Sequence, residues 1–332
     1  MTKNFWLPVS ISLIILFFTN MIMVSSVAPG LLLKQLSAWV IGGVLFFIGR
    51  QINPKQFSSY KWLVFILSCL LLIAPIVLNH ITRGSRRWLD IGPLSIQPSE
   101  VVKPFLMLFL SDMAWPLFHF IPVAIIMLQP DLGSAMTVLF LLTPVVFYNK
   151  KLIKILLILS LFGLLLSPLI WNNLLHDYQQ KRISNFLNPA SDPLGDGYNV
   201  IQSKIAIGSG GILGKGYKMG TQGQLLFLPE KHTDFIFAAT AEERGLIGIL
   251  VILFAYFLLI KTLFNKAFSF SNNRPLFIFT LGIACQIWLQ MFVNIGMNLG
   301  LLPVTGIPLP FLSVGGSSVM SLMFSLGIIF SA

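Results

Sequence analysis

Residues 6–28 read WLPVSISLIILFFTNMIMVSSVA, with no charged side chain in the run. A bilayer core needs roughly 20 apolar residues in a helix to cross it, and this run is long enough. It exceeds the roughly 7–15-residue apolar region of a secretory signal peptide, so behind Lys3 it reads as a retained first span. Lipid offers the backbone no hydrogen-bond partner, which leaves only helices or closed barrels. The period-two alternation of a barrel strand is not there.

The pattern repeats. Further apolar runs fall at 32–49, 62–79, 99–111, 116–128, 134–148, 152–173, 236–260, 276–294 and 312–331. The fold class is therefore all-α integral membrane, about ten transmembrane helices in one polytopic domain, 1–332. Composition agrees: 56% of residues are hydrophobic and 10% charged, where a soluble domain carries about 25% charged. The net charge of +11 comes mostly from Lys and Arg between the runs, where they set orientation and meet anionic lipid headgroups. No basic patch interleaved with aromatics is visible, so nucleic acid is not the partner. Cys69 and Cys285 sit inside apolar runs and read as core residues. The four histidines show no metal-ligand spacing.

An inside N-terminus places Lys3, Arg50, Lys55, Lys61, Lys150, Lys151, Lys154, Lys261, Lys266 and Arg274 on the cytoplasmic side, as the positive-inside rule requires. Both termini are then cytoplasmic. Residues 99–128 must cross twice in about 30 residues, which predicts two abbreviated or tilted spans with a turn near Asp112–Pro116. Two large connections, 80–98 and 174–234, face outward. The second, between helices 7 and 8, is polar and glycine-rich. Long loops are uncommon unless functional, which puts the chemistry on the outer face.

The chain has only eleven acids, and an ionisable group at membrane depth is a functional candidate. Glu100 and Lys103 share a helix face: they either pair in a polar cavity, or complement the helix terminus and snorkel. Asp234, in Leu228-Pro229-Glu230-Lys231-His232-Thr233-Asp234-Phe235-Ile236-Phe237, is either a general base at the membrane edge or, with Thr233, a helix cap. Helical spacing turns Glu242 within about 80° of it. The glycines from Gly208 to Gly223 match neither a Walker A loop nor a dinucleotide fingerprint. They cradle a phosphate or simply lend flexibility. Arg87 and Trp88, with Arg83 and Arg86, suit a diphosphate or an interfacial belt. Gln129-Pro130-Asp131-Leu132-Gly133 reads as a turn. The prolines of 303–311, before Gly315-Gly316-Ser317-Ser318, suggest a re-entrant loop.

Together these segments resemble the SEDS family (shape, elongation, division and sporulation), and its rod-elongation branch in particular. The motifs are Gln97-Pro98-Ser99-Glu100 with Lys103, Gln129 to Gly133, Phe186-Leu187-Asn188-Pro189, Asp192-Pro193-Leu194-Gly195, Gly197-Tyr198-Asn199 with Gln202-Ser203, Ala206 to Gly211, Leu228 to Phe237 and Pro303 to Ser318. The resemblance implies a GT-C-like, inverting peptidoglycan glycosyltransferase that polymerises lipid II into β-1,4 glycan and releases undecaprenyl diphosphate. By the same resemblance Asp234 is the catalytic base. Arg87, Glu100, Lys103, Gln202, Glu230, Lys231, His232, Thr233 and Glu242 are the substrate-binding candidates, with Arg87 and Lys103 on the diphosphate. It also implies a class B penicillin-binding protein and the elongation machinery as partners, an inner-membrane location, and support of activity by a divalent cation (Mg or Mn), for which no ligand cluster is legible. A lipid II flippase and a non-catalytic scaffold are the competing readings.

Overall fold

The computed structural model describes residues 5–52, 54–78, 87–91, 94–112, 116–149, 153–154, 161, 177–188, 196–225 and 227–331. Lys3, Arg83, Arg86, Lys150, Lys151, most of the seventh apolar run, Pro189 and the Asp192–Gly195 motif lie outside these residues.

Three long helices open the chain: α1 Trp6–Val27, α2 Leu32–Gln51 and α3 Pro54–Val77. Leu7, Phe18, Val40, Phe47, Leu63 and Leu70 on them are all more than half exposed. Such a belt would be an interaction or aggregation surface in water; in a bilayer it faces the solvent it matches. The chain is a multi-pass membrane protein. The two abbreviated segments follow as α4 Pro98–Val101 with α5 Lys103–Ser111, then a 3-10 turn Pro116–His119 leading into α6 Phe120–Met127. Next come α7 Leu132–Phe140 and α8 Thr143–Tyr148. A short hairpin, β1 Leu89–Ile91 against β2 Leu94–Ile96 in antiparallel register, is a small departure from the all-helical expectation.

The connection 174–234 is not a plain loop. It contains α9 Asp177–Leu187, α10 Asp196–Gly210 and α11 Thr221–Gln224. Val200 and Ala206 of α10 are buried, and that burial overrides the glycine content that made the stretch look irregular. The chain then returns through α12 Ile236–Ser269, α13 Arg274–Asn298 and α14 Gly316–Ile329. Of the apolar window of α13, 72% is buried, against 22–33% for the first three helices, so α13 is central and those three are peripheral. One end of the bundle carries Lys266 over Phe5, Arg50 over Trp6 and Arg274 over Tyr148. The start of α12 is at the other end.

Helix α2 packs on α14 through facing glycines. A Cβ on Gly49 would lie 2.5 Å from the Phe324 carbonyl oxygen, and one on Gly327 would lie 2.2 Å from that of Phe46. Small residues let helix backbones approach in lipid. Gly327→Val is therefore expected to cost about 2–4 kcal/mol through overpacking, read as a lower melting temperature in detergent. Wild-type melting would refute this close contact.

Residues 303–309, between α13 and α14, have no regular structure, yet Ile307, Leu309, Phe311 and Leu312 are buried. Irregular backbone is tolerated at depth only where protein satisfies it. Here Asn294 Nδ2 donates to the Ile307 carbonyl at 2.9 Å, Ser313 Oγ accepts from Leu309 N at 2.9 Å and Asn20 Nδ2 donates to the Leu312 carbonyl at 2.6 Å. This is the re-entrant segment the prolines predicted.

Candidate active site

Asp234 does not cap α12. The N-cap is Phe235, without a side-chain cap, and Thr233 Oγ1 is turned to Glu230 Oε2 at 2.9 Å. What the fold holds is the Asp234 main chain: its carbonyl accepts from Asn294 Nδ2 at 3.1 Å and from Asn298 Nδ2 at 2.9 Å. Asn298 Oδ1 also accepts from Ala238 N at 3.1 Å. Two amides from the central helix thus fix the start of α12, and the Asp234 carboxylate carries no hydrogen bond among the described residues. Ser313 Oγ donates to the Thr233 carbonyl at 2.5 Å, and Val314 N to that of His232 at 2.9 Å. These two bonds from the segment that precedes α14 brace the motif from its second side.

The carboxylate opens into a cavity of about 290 Å³ shared with Arg87, Trp88, Gln97, Glu100, Arg182, Glu230, Gly306 and Ser318. Gly306 has φ +71, and a Cβ there would stand 3.7 Å from Asp234 Oδ2. Burial pushes the Asp234 carboxyl up and the nearby Glu230 and Asp131 charges add to this, while Arg87 and Arg182 pull it down; the outcome is about 6. A base with its pKa near working pH combines ionisation with proton affinity. Arg87 is held in turn by Asp131, 3.6 Å from its Nη1. The other Asp131 oxygen caps α7 by accepting from Ser134 N at 3.0 Å. The Gln129–Gly133 segment is thus more than a turn: Asp131 positions the guanidinium.

The other candidates separate. Glu230 and Thr233 line the cavity with Asp234 and Arg87. His232 lines an adjoining cavity of about 260 Å³ with Lys34 and Asp90, Trp88 and Thr233 being common to both walls. Glu100 reaches the first cavity, but Lys103 does not. Lys103 is fully buried with its Nζ 2.5 Å from Glu100 Oε1, so of the two readings open in the sequence the pair is the one formed, and Lys103 does not snorkel. Lys231 is buried and donates to the Gly223 carbonyl; burial lowers its pKa, against the charge of Glu243. Gln202 lies on α10 without lining the cavity, whereas Asn199 on the same helix does.

Glu242 is the clearest departure. It is fully buried, and its carboxylate is taken up by Lys215 Nζ at 2.7 Å, Thr221 Oγ1 at 3.0 Å, Gln222 N at 3.0 Å and Gly223 N at 3.2 Å. Helical spacing turned it toward Asp234, but Asp234 precedes the helix and the glycine segment supplies closer donors. That segment is neither a phosphate cradle nor merely flexible. A Cβ on Gly210 would lie 2.0 Å from the Ala241 carbonyl oxygen and one on Gly214 would lie 2.3 Å from that of Glu243. These glycines admit backbone against the break in α12, where Gly245 has φ +63. Glu242→Ala is expected to speed hydrogen exchange over 220–231 and to lower turnover about tenfold to a hundredfold by loosening the approach to Asp234. Unchanged exchange would remove its positioning role.

Among the described residues no group of three or more His, Cys, Asp or Glu gathers where a metal ion would bind. Arg182, Asn294 and Asn298 are not among the sequence candidates, and Ser318 stands there only as part of a motif, with no role assigned. The signal was present for the asparagines, since a polar amide inside an apolar span is costly without a partner.

Residues 3–332 match the profile of the FtsW/RodA/SpoVE family, described as cell cycle proteins. The chain belongs to that family. Among its relatives, the peptidoglycan glycosyltransferase MrdB of Escherichia coli K12 is 38% identical over 318 residues, 91% of this chain and 85% of the relative. Stage V sporulation protein E of Bacillus subtilis is 34% identical over 89% of this chain and 85% of its own. In structure, the chain superimposes with TM-score 0.82 and 34% identity on a chain from work on the structural coordination of polymerization and crosslinking by a peptidoglycan synthase complex, covering 97% and 96% of the two. The rod shape determining protein RodA of Thermus thermophilus gives TM-score 0.70 and 27% identity over 99% and 95%. Family membership thus extends over the whole described bundle, the cavity and the segments that brace it included.

Proposed function

We infer that the chain is a peptidoglycan glycosyltransferase of the elongation kind, polymerising lipid II with Asp234 as the base. The observation that carries the reading is one cavity holding a carboxylate raised to about 6 together with two guanidinium groups, Arg87 and Arg182, in a family whose relatives bear that enzymatic name. Asp234 takes the proton of the acceptor sugar 4-hydroxyl. The freed oxygen attacks the donor's anomeric carbon from the face opposite the diphosphate. The bond to undecaprenyl diphosphate breaks with its electron pair, and the linkage inverts to β-1,4. Arg87 offsets the charge that develops on the leaving group; Glu230 keeps the base from losing its proton affinity.

Lys and Arg in the short connections at the end that holds Arg50, Lys266 and Arg274 support a cytoplasmic N-terminus, which puts the cavity on the outer face, where a membrane-anchored class B penicillin-binding protein would crosslink the strand. The likeness to a synthase complex supports such a partner. The test is reconstitution of the purified chain with that partner, its transpeptidase blocked by a β-lactam, on labelled lipid II. A ladder of glycan chains is the expected result. Intact lipid II moved across liposomes without polymer would overturn the reading in favour of a flippase, and neither activity would favour a scaffold.

A further inference from the structure

Helix α14 starts at Gly316, and its N-cap, Gly315, brings no side chain to the exposed amides of the first turn. Those N–H groups have no partner within the helix and mark its positive end. Gly315, Ser317 and Ser318 line the cavity that contains Asp234, and Gly315 and Gly316 line the adjoining one. Beside these amides lies the side chain of Ser318. Ser318 is 5% exposed, it lines the cavity, and its hydroxyl has no hydrogen-bond partner among the described residues. Its neighbour differs: Ser317 Oγ accepts from Gln97 N at 2.9 Å and ties the turn to the start of α4. Arg87 Nε is likewise buried and unpartnered. A buried polar atom left unmet is costly. Glu100 Oε2 and Asn199 Oδ1 on the same walls are also unpartnered among the described residues, but they only accept; Ser318 Oγ and Arg87 Nε are the two that donate, and two buried donors in one cavity point to a ligand that accepts from them. Donors of this kind match phosphate oxygens.

We propose that the first turn of α14, with Ser318 as its side-chain donor and Arg87 as the accompanying charge, grips the diphosphate of the lipid-linked substrate. The role expected of Lys103 passes to a helix terminus. The cavity is then divided by charge: diphosphate at Arg87 and α14, the attacking hydroxyl at Asp234 and Glu230. Glu100 is on the same wall, but its charge is offset by Lys103. The inference rests on the polymerase reading for the identity of the substrate, and on geometry alone for the diphosphate.

The test measures binding of geranylgeranyl diphosphate to the purified full-length chain in nanodiscs, wild type against Ser318→Ala, with lipid II polymerisation followed in parallel. The hydroxyl has no internal partner to lose, so S318A is expected to melt like wild type. It should bind about tenfold more weakly and raise KM with kcat little changed. Inorganic pyrophosphate should compete, whereas phosphatidylglycerol in the nanodisc should not. Unchanged affinity in S318A, with wild type polymerising, would overturn the inference and leave the function standing. Ser318-dependent binding without any polymerisation would do the reverse. Competition by phosphatidylglycerol alone would reassign the turn to a membrane-lipid headgroup and overturn the proposal.

Discussion

Replacing Asp234 by asparagine is expected to lower lipid II polymerisation by at least about a hundredfold, the usual contribution of a positioned general base, while leaving the protein folded. Both halves follow from one arrangement. The contacts that hold residue 234 are made by its carbonyl, through Asn294 and Asn298, and the substitution leaves them intact. What it removes is a carboxylate whose pKa stands at about 6, chiefly through burial. The pH dependence has a definite sign. The base works only when ionised, so wild-type kcat/KM should fall about tenfold per unit as pH drops below about 6.

Stability runs the opposite way. A carboxyl whose folded pKa is raised above the ordinary 3.8 favours the fold when protonated, and that advantage is lost as pH rises from about 4 to about 6. Asp234→Asn should therefore melt at or above the wild-type temperature at pH 7, by at most about 3 kcal/mol and less because the side chain opens into the cavity. The difference should vanish toward pH 4. Melting curves at pH 4.5, 6 and 7.5, with the polymerisation assay, check both. Wild-type polymer yield from Asp234→Asn would take Asp234 out of the mechanism.

Much of this arrangement was legible in the residues, and the rest was hidden for identifiable reasons. Hydropathy located the spans because lipid leaves the backbone so few options, and the length of 99–128 alone announced two short segments. The prolines of 303–311 gave the re-entrant loop. Periodicity failed at Glu242, because angles count only along a helix and Asp234 lies outside it, before its start at Ile236. Composition failed on the glycines, whose purpose is close approach to a distant element that the sequence does not display. It failed again on α10, where packing outweighed propensity. That Asp234 and Thr233 do not cap α12 turned on where Thr233 and Asn298 point, and that is a tertiary fact.

The pair formed by Glu100 and Lys103 carries the other large expected effect. Both are almost wholly removed from solvent, at 3% and 0% exposure, with nitrogen and oxygen 2.5 Å apart. Removing one partner of a buried ion pair leaves the other as an uncompensated charge and costs about 3–5 kcal/mol. Glu100→Ala and Lys103→Ala are each expected to lower the melting temperature sharply. Replacing both by neutral groups of similar size, Glu100→Gln together with Lys103→Met, should recover most of the loss, since well-packed neutral groups often match a buried pair. The double-mutant cycle in detergent gives the coupling directly, and its companion measurement separates two roles. If the pair is an internal brace for the wall that carries Glu100, the double variant regains stability and retains measurable binding of geranylgeranyl diphosphate. Should the double variant be stable yet lose that binding, Lys103 would be in contact with the diphosphate during turnover, the pair would open when substrate enters, and the assignment of the headgroup to α14 would need Lys103 beside it. The second oxygen of Glu100, buried against the same cavity and without a hydrogen-bond partner among the described residues, is where such an opening would begin.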